Sequence, residues 1–172
     1  GSTQLTAKLD PEDTREVMRA YRDVCNGAIG AFDGHVVRYF GDGVLACFGW
    51  PVAPEDDAER AVRAAIAIVR ELRQTHPLPV VKMQVRIGIA TGLVVIGDLI
   101  GEGASQEPSV VGETPNLAAR LQAVAGEGAV VVAEATKKLL GSQVAVTDLG
   151  AQSLKGLDQP VHVWRVDGEQ TA

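Results

Sequence analysis

Apolar positions along this chain repeat at two different periods, and the switches between them divide it into elements. Val17, Ala20, Tyr21, Val24, Ala28 and Ala31 recur three and four residues apart, which predicts a helix over residues 10–32 with one apolar face. Asp10 supplies an N-cap carboxylate, Pro11 a fixed φ for the first helical position, and Glu12 and Asp13 negative charge in the first turn. Asp33-Gly34 ends the helix. The runs VVRYF and VLACFGW flank Gly41-Asp42-Gly43 and predict a β-hairpin over residues 35–50 with Asp42 at its tip. Pro51 and Pro54 close the second strand. A second helix is predicted over residues 56–73, with Ala61, Ala64, Ala65, Ile68 and Leu72 as its buried stripe.

In the second half, a strand over residues 83–90 turns at Thr91-Gly92 into a second strand over 93–96, a further hairpin. The glycine-rich stretch GDLIGEGASQEP reads as a flexible loop. Thr114 is placed to cap a helix with Pro115 at its first position, running to residue 124. A strand over 129–132, a short helix over 134–140 and strands over 144–149 and 161–166 complete the pattern. The order predicts an α/β (α+β) sandwich, a mixed sheet covered by helices.

A chain of 172 residues suits one domain with a sizeable core. A hydrophobic share of 46% with 22% charged residues is that of a soluble globular protein. The formal net charge of −6 argues against a nucleic-acid or anionic-membrane surface but leaves room for a nucleotide, which needs only a few local cations. Cys25 and Cys47 lie far apart in apolar surroundings, without metal-ligand spacing, and read as free buried thiols. No apolar run approaches the roughly 18 residues of a membrane span, and no secretory signal is visible, so a cytoplasmic location is the default expectation.

Three places stand out chemically. A carboxylate pinned between two glycines, as at Asp42, is a natural turn residue and equally a ligand for a hard cation such as Mg²⁺. Asn116 and Arg120, four residues apart, share one helical face and offer an amide and a guanidinium to a polar ligand, or else Arg120 pairs locally with Glu113. Lys155, in SLKG between two strands, is a solvated lysine unless something anionic approaches it.

The stretches YFGDGVLACFG, QVRIGIATGLVVIGDLIG and VVGETPNLAARLQAVA, flanked by LDPEDTREVMRAYRDVC and SLKGLDQPVHVWRV, resemble in this order the class III adenylyl/guanylyl cyclase catalytic domain. The resemblance covers nearly the whole chain and is nearest to bacterial cyclases in which this domain precedes an ATPase and helical-repeat region. It implies a ferredoxin-like βαββαβ core with additional C-terminal strands, and a head-to-tail homodimer with each active site between the subunits. It implies conversion of ATP, with GTP as the alternative, to a 3′,5′-cyclic nucleotide with two Mg²⁺ or Mn²⁺ ions. Asp42 matches a metal-binding aspartate, Asn116 the residue that orients the ribose, Arg120 the arginine that stabilises the transition state and Lys155 the lysine that contacts the triphosphate. Ser2 and Thr3, after Gly1, match the end of a turn whose backbone amides cradle phosphates.

Two departures from the family pattern shape the expectations. The family's other metal aspartate lies just before the Gly-Ser-Thr segment, so the resemblance implies a cyclase domain over residues 1–172 without its first strand and that aspartate. Such a polypeptide is expected to hold two ions poorly and to turn over weakly or not at all. The base-reading positions carry Gln84 and Ser109, neither the usual adenine pair nor the usual guanine pair. An amide and a hydroxyl each donate and accept, which suits relaxed selectivity around ATP. The alternative function is a weak or inactive cyclase-like regulatory or dimerisation module that controls an attached ATPase.

Overall fold

The computed structural model describes residues 11–40, 43–49, 56–74, 85–100 and 107–169. The elements in chain order are α1 (Pro11–Ala31), β1 (His35–Phe40), β2 (Gly43–Cys47), α2 (Asp57–Gln74), β3 (Ile87–Ile89), β4 (Val95–Ile100), β5 (Glu107–Val111), α3 (Glu113–Val124), β6 (Val130–Ala133), α4 (Glu134–Leu139), β7 (Val144–Gln152) and β8 (Val161–Glu169). Four strands form a mixed sheet in the order β3-β6-β8-β7, parallel between β3 and β6 and antiparallel elsewhere. The pairs β1-β2 and β4-β5 are antiparallel ribbons. This is the mixed α/β architecture read from the sequence.

Side-chain alternation along β6 decides the layering. Val130 and Val132 pack with Val62 and Ala65 of α2, Val144 of β7 and Val166 of β8. Val131 and Ala133 point the other way and pack with Leu121 and Ala125 at the C-terminal end of α3, Leu154 and Val163. The sheet is therefore covered by α2 on one face and α3 on the other. A further cluster joins α1 (Val17, Cys25, Ala28, Ile29) to α2 (Ile68, Leu72), with Val36, Val44, Ala46 and Phe48 of the first hairpin region packed against it. Burial pushes the Cys25 thiol up to about 11, against a smaller opposing contribution from a hydrogen bond with Tyr21. Cys25 is a buried free thiol as expected, and Cys47 is free and half-buried.

The α1–β1 corner follows its sequence signals. Asp33 adopts φ 60°, an uncommon value that aspartate tolerates better than most residues. The Gly34 N–H closes the turn by donating to the Ile29 carbonyl at 2.8 Å. Arg60 of α2 donates to the Phe32 carbonyl at 2.8 Å and pairs with Asp57 at 2.7 Å, so one side chain ties the start of α2 to the end of α1.

The predicted pairing of the middle strands requires correction. β3 does not turn at Thr91-Gly92 into an antiparallel partner; it pairs in parallel with β6, opposite Val130, Val131 and Val132. β4 instead pairs with β5, with Val95 opposite Val111 and Ile100 opposite Glu107. The stretch read as a flexible loop thus supplies strand at both of its ends, residues 97–100 and 107–108. Glycine enrichment masked the apolar residues Leu99 and Ile100, which continue the strand read at residues 93–96. A register shift between Gly97 and Leu99 accommodates the glycine within the ribbon. Among the described residues no helix is long and apolar enough to cross a membrane.

Leu72 is 1% exposed within the α1–α2 cluster. Leu72→Ala is expected to destabilise the fold by about 2–5 kcal/mol, read as a lower urea midpoint with unchanged slope.

Candidate active site

The helix α3 carries little core of its own. Its one fully buried side chain is Leu121, 0% exposed, whereas α2 buries Ala58, Val62, Ala64, Ala65, Ile68 and Leu72. Its placement rests on two local devices. At Gly88 of β3 the helix backbone approaches so closely that a Cβ would lie 2.4 Å from the Ala118 carbonyl oxygen, 2.5 Å from the Gln122 nitrogen and 2.9 Å from Leu121 Cβ. At the helix start, the Thr114 hydroxyl donates to the Leu93 carbonyl at 3.1 Å. The sequence had Thr114 as the cap; the helix begins two residues earlier, behind Gly112 at φ 137°, and no side chain caps it. The Thr114 hydroxyl is used as a tether to the segment after β3 instead.

With Leu121 turned inward, Asn116 and Arg120 are both exposed. A second segment meets Arg120. After β7 the chain buries Leu154, 4% exposed, turns with the Leu157 N–H donating to the Leu154 carbonyl at 3.1 Å, and exposes Lys155. Gly156, at φ 84°, sits in this turn, and a Cβ there would lie 3.8 Å from the Arg120 Nη2. The guanidinium of Arg120 and the turn that carries Lys155 are thus neighbours, although they lie 35 residues apart in the chain. Among the described residues neither cation has an ion-pair or hydrogen-bond partner, so the local pairing of Arg120 with Glu113 is not formed.

The hairpin that presents Lys155 is braced at a register shift between Asp148 and Ala151. The Gly150 N–H donates to Asp148 Oδ1 at 2.7 Å, and His162 Nε2 lies 2.5 Å from the same oxygen. The His162 ring stacks on Trp164 at 4.8 Å, and Lys137 Nζ lies 4.7 Å from the Trp164 ring centre. The Gly150 N–H, followed by His162, holds the Asp148 carboxyl below its ordinary value.

The other site residues read from the sequence fare differently. Ser2, Thr3, Asp42 and Gln84 lie outside the described residues. Ser109 lies on β5 opposite Gly97. On either side of residues 41 and 42 the hairpin closes with Phe40 opposite Gly43. Gly88, Gly156 and Leu154 were not singled out from the sequence. An isolated glycine inside a strand pattern is the signal of close backbone approach that would have found Gly88.

Comparison with known proteins identifies the family. The family model for the adenylate and guanylate cyclase catalytic domain matches residues 1–168, and the chain belongs to this family. Across 171 residues it is 35% identical to an uncharacterized protein of Rhizobium meliloti, covering 99% of this chain and 16% of that protein. The crystal structure of the adenylyl cyclase CyaB from P. aeruginosa superposes with a TM-score of 0.90 at 25% identity, covering 99% of this chain and 90% of the other. That of a guanylyl cyclase superposes with a TM-score of 0.86 at 31% identity, covering 98% and 87%. The domain is thus of the class III nucleotidyl cyclase type. The chain spans 16% to 36% of the length of curated relatives that it matches.

The lowered carboxyl of Asp148 gives a stability contribution that is present above the unfolded carboxylate value of about 3.9 and is lost as pH falls through the folded value. Asp148→Asn keeps the acceptor for Gly150 and removes the charge. Urea titrations are expected to show the variant less stable than the parent at pH 7, with the gap closing below about pH 4.

Proposed function

We propose that this domain converts ATP, with GTP as a poorer alternative, to the 3′,5′-cyclic nucleotide and pyrophosphate. The observation that carries this reading is the exposed guanidinium of Arg120 beside the Lys155–Gly156 turn, with Asn116 one helical turn away. In the reaction the ribose 3′-hydroxyl attacks the α-phosphorus and expels pyrophosphate in line. Asn116 offers an amide that can hold the ribose. Arg120 donates to the oxygens on which charge grows at the α-phosphoryl group, and its planar fork suits two parallel hydrogen bonds. Lys155 binds the triphosphate as a point charge. Backbone amides at Ser2 and Thr3 add donors for the phosphates.

Asp42 fits as a ligand for Mg²⁺ or Mn²⁺: it is a carboxylate between paired strand ends, and hard dications take such oxygens together with those of phosphates. When bound, such ions neutralise phosphate charge and lower the pKa of the attacking hydroxyl. The site is completed in a head-to-tail homodimer, in which Asp42 of one copy faces Asn116 and Arg120 of the other. Gln84 and Ser109 read the base; because each can donate and accept, selectivity for ATP over GTP is relaxed. The similarity to both an adenylyl and a guanylyl cyclase structure is in keeping with this. Relatives much longer than this chain support its being one catalytic unit of a larger protein, for which an attached ATPase and helical-repeat region is the expected partner.

In the full-length protein, assays with Mg²⁺ and with Mn²⁺ are expected to yield cyclic AMP and a smaller amount of cyclic GMP. Arg120→Ala is expected to lower kcat on the order of 10²–10³-fold and leave nucleotide affinity nearly unchanged. Absence of either product with both ions and both nucleotides would instead favour a regulatory module.

A further inference from the structure

We infer that Gly88 is a positioning residue for this reaction: its missing side chain sets the depth at which α3 seats on the sheet, and thereby where Asn116 and Arg120 stand. The inference rests on the cyclase reading above and concerns residues on the opposite side of the helix from the exposed pair. The Ala118 carbonyl oxygen and the Gln122 nitrogen, 2.4 and 2.5 Å from a Cβ at position 88, belong to residues four apart and are the two ends of one i to i+4 step of the helix backbone. Both are backbone atoms, so no change of rotamer relieves the overlap. Restoring ordinary contact moves the helix by roughly 1 Å. Ala118 and Gln122 bracket Arg120, so a displacement there is transmitted to the guanidinium without an intervening flexible segment.

Besides Leu117 and Ala125, which pack in the cluster of Leu121, two contacts oppose such a movement. Leu121 is the only fully buried side chain within the helix, and the Thr114 hydroxyl bond to Leu93 is the tether at its start. The turn beside Arg120 is anchored to the sheet by the braced β7–β8 hairpin, although its buried Leu154 packs in the same cluster as Leu121. A shift of α3 therefore changes the spacing between Arg120 and the Lys155 turn rather than carrying both along. A misplacement of about 1 Å costs on the order of 10²-fold in turnover when the displaced group acts in the transition state.

The test is a kinetic cycle in the full-length protein, combined with crystallography. Gly88→Ala is expected to lower kcat about 10²-fold with KM nearly unchanged, while the same substitution in an Arg120→Ala background costs less than about 10-fold, because one of the two residues it misplaces is already gone. Gly30→Ala, where a Cβ meets nothing within 4 Å, is the control for glycine replacement as such. The variant structure is expected to show α3 displaced relative to β6 and β8. Losses that multiply in the double variant, or parental turnover in Gly88→Ala, overturn the inference. If Gly88→Ala fails to fold, Thr114→Val releases the second anchor and is expected to lower kcat about 2–10-fold at constant KM; unchanged kcat overturns the inference. Should the parent itself make no cyclic nucleotide, the cyclase reading fails, and an α3 seated as in the parent in the variant structure independently overturns the role of Gly88.

Discussion

The central constraint is that β6 must be buried on both of its faces. All four of its residues, Val130 to Ala133, are buried, and its neighbours on either side are strands of the same sheet. A strand so placed satisfies its backbone through its ladders and its side chains through two different helices. That requirement draws α2 to one face and α3 to the other, and the functional division of the domain follows from their difference. α2 is a structural helix, with a continuous buried stripe and Arg60 linking it to α1. α3 meets the sheet along a narrow line through Gly88 and Leu121, which leaves its remaining surface available for polar residues.

The electrostatics of the exposed face follow from that arrangement. The chain as a whole carries a formal charge of −6, yet Arg120 and Lys155 stand there without ion-pair partners among the described residues. Arg120 stands beside the turn that carries Lys155, and an anion approaching that turn is attracted by both charges. Arg60 and Arg165 show the contrast: each sits against carboxylates within 3.1 Å. Those two arginines are neutralised locally, and Arg120 is not. The reciprocal device is the rigidity behind it, because preorganised donors stabilise developing charge only if they need not move to meet it.

Much of the fold was legible because periodicity is a local property. The helices α1 and α2 lie within one residue of their predicted bounds, since their apolar stripes, caps and terminating glycine all occur within a few residues of one another. The first hairpin was readable for the same reason. Strand partners were not, because the pairing of β3 with β6 spans more than 40 residues and nothing in IGI states which edge it will join. The β4-β5 ribbon was hidden by its own glycines. Of the candidate site, Asn116 and Arg120 share an exposed face as their spacing required, and Lys155 is exposed in a turn. The contact between Gly156 and Arg120 was not derivable from spacing, because it depends on how β7 and β8 dock onto the sheet that α3 covers. The role of Thr114 was misread because a cap and a tether have the same sequence signature, a hydroxyl at a helix start, and only the position of Leu93 separates them.

If the α3 face forms half of a nucleotide site whose metal-binding half comes from Asp42 of another copy, two defective full-length chains repair each other. Asp42→Ala and Arg120→Ala proteins, each inactive alone, are purified, mixed under conditions that allow subunits to exchange, and assayed for cyclic nucleotide. The composite site predicts that the mixture regains activity that neither variant has, because mixed dimers contain one site with both residues intact. A mixture that stays as inactive as its components, while the parent is active and subunit exchange is demonstrated, contradicts a site shared between copies.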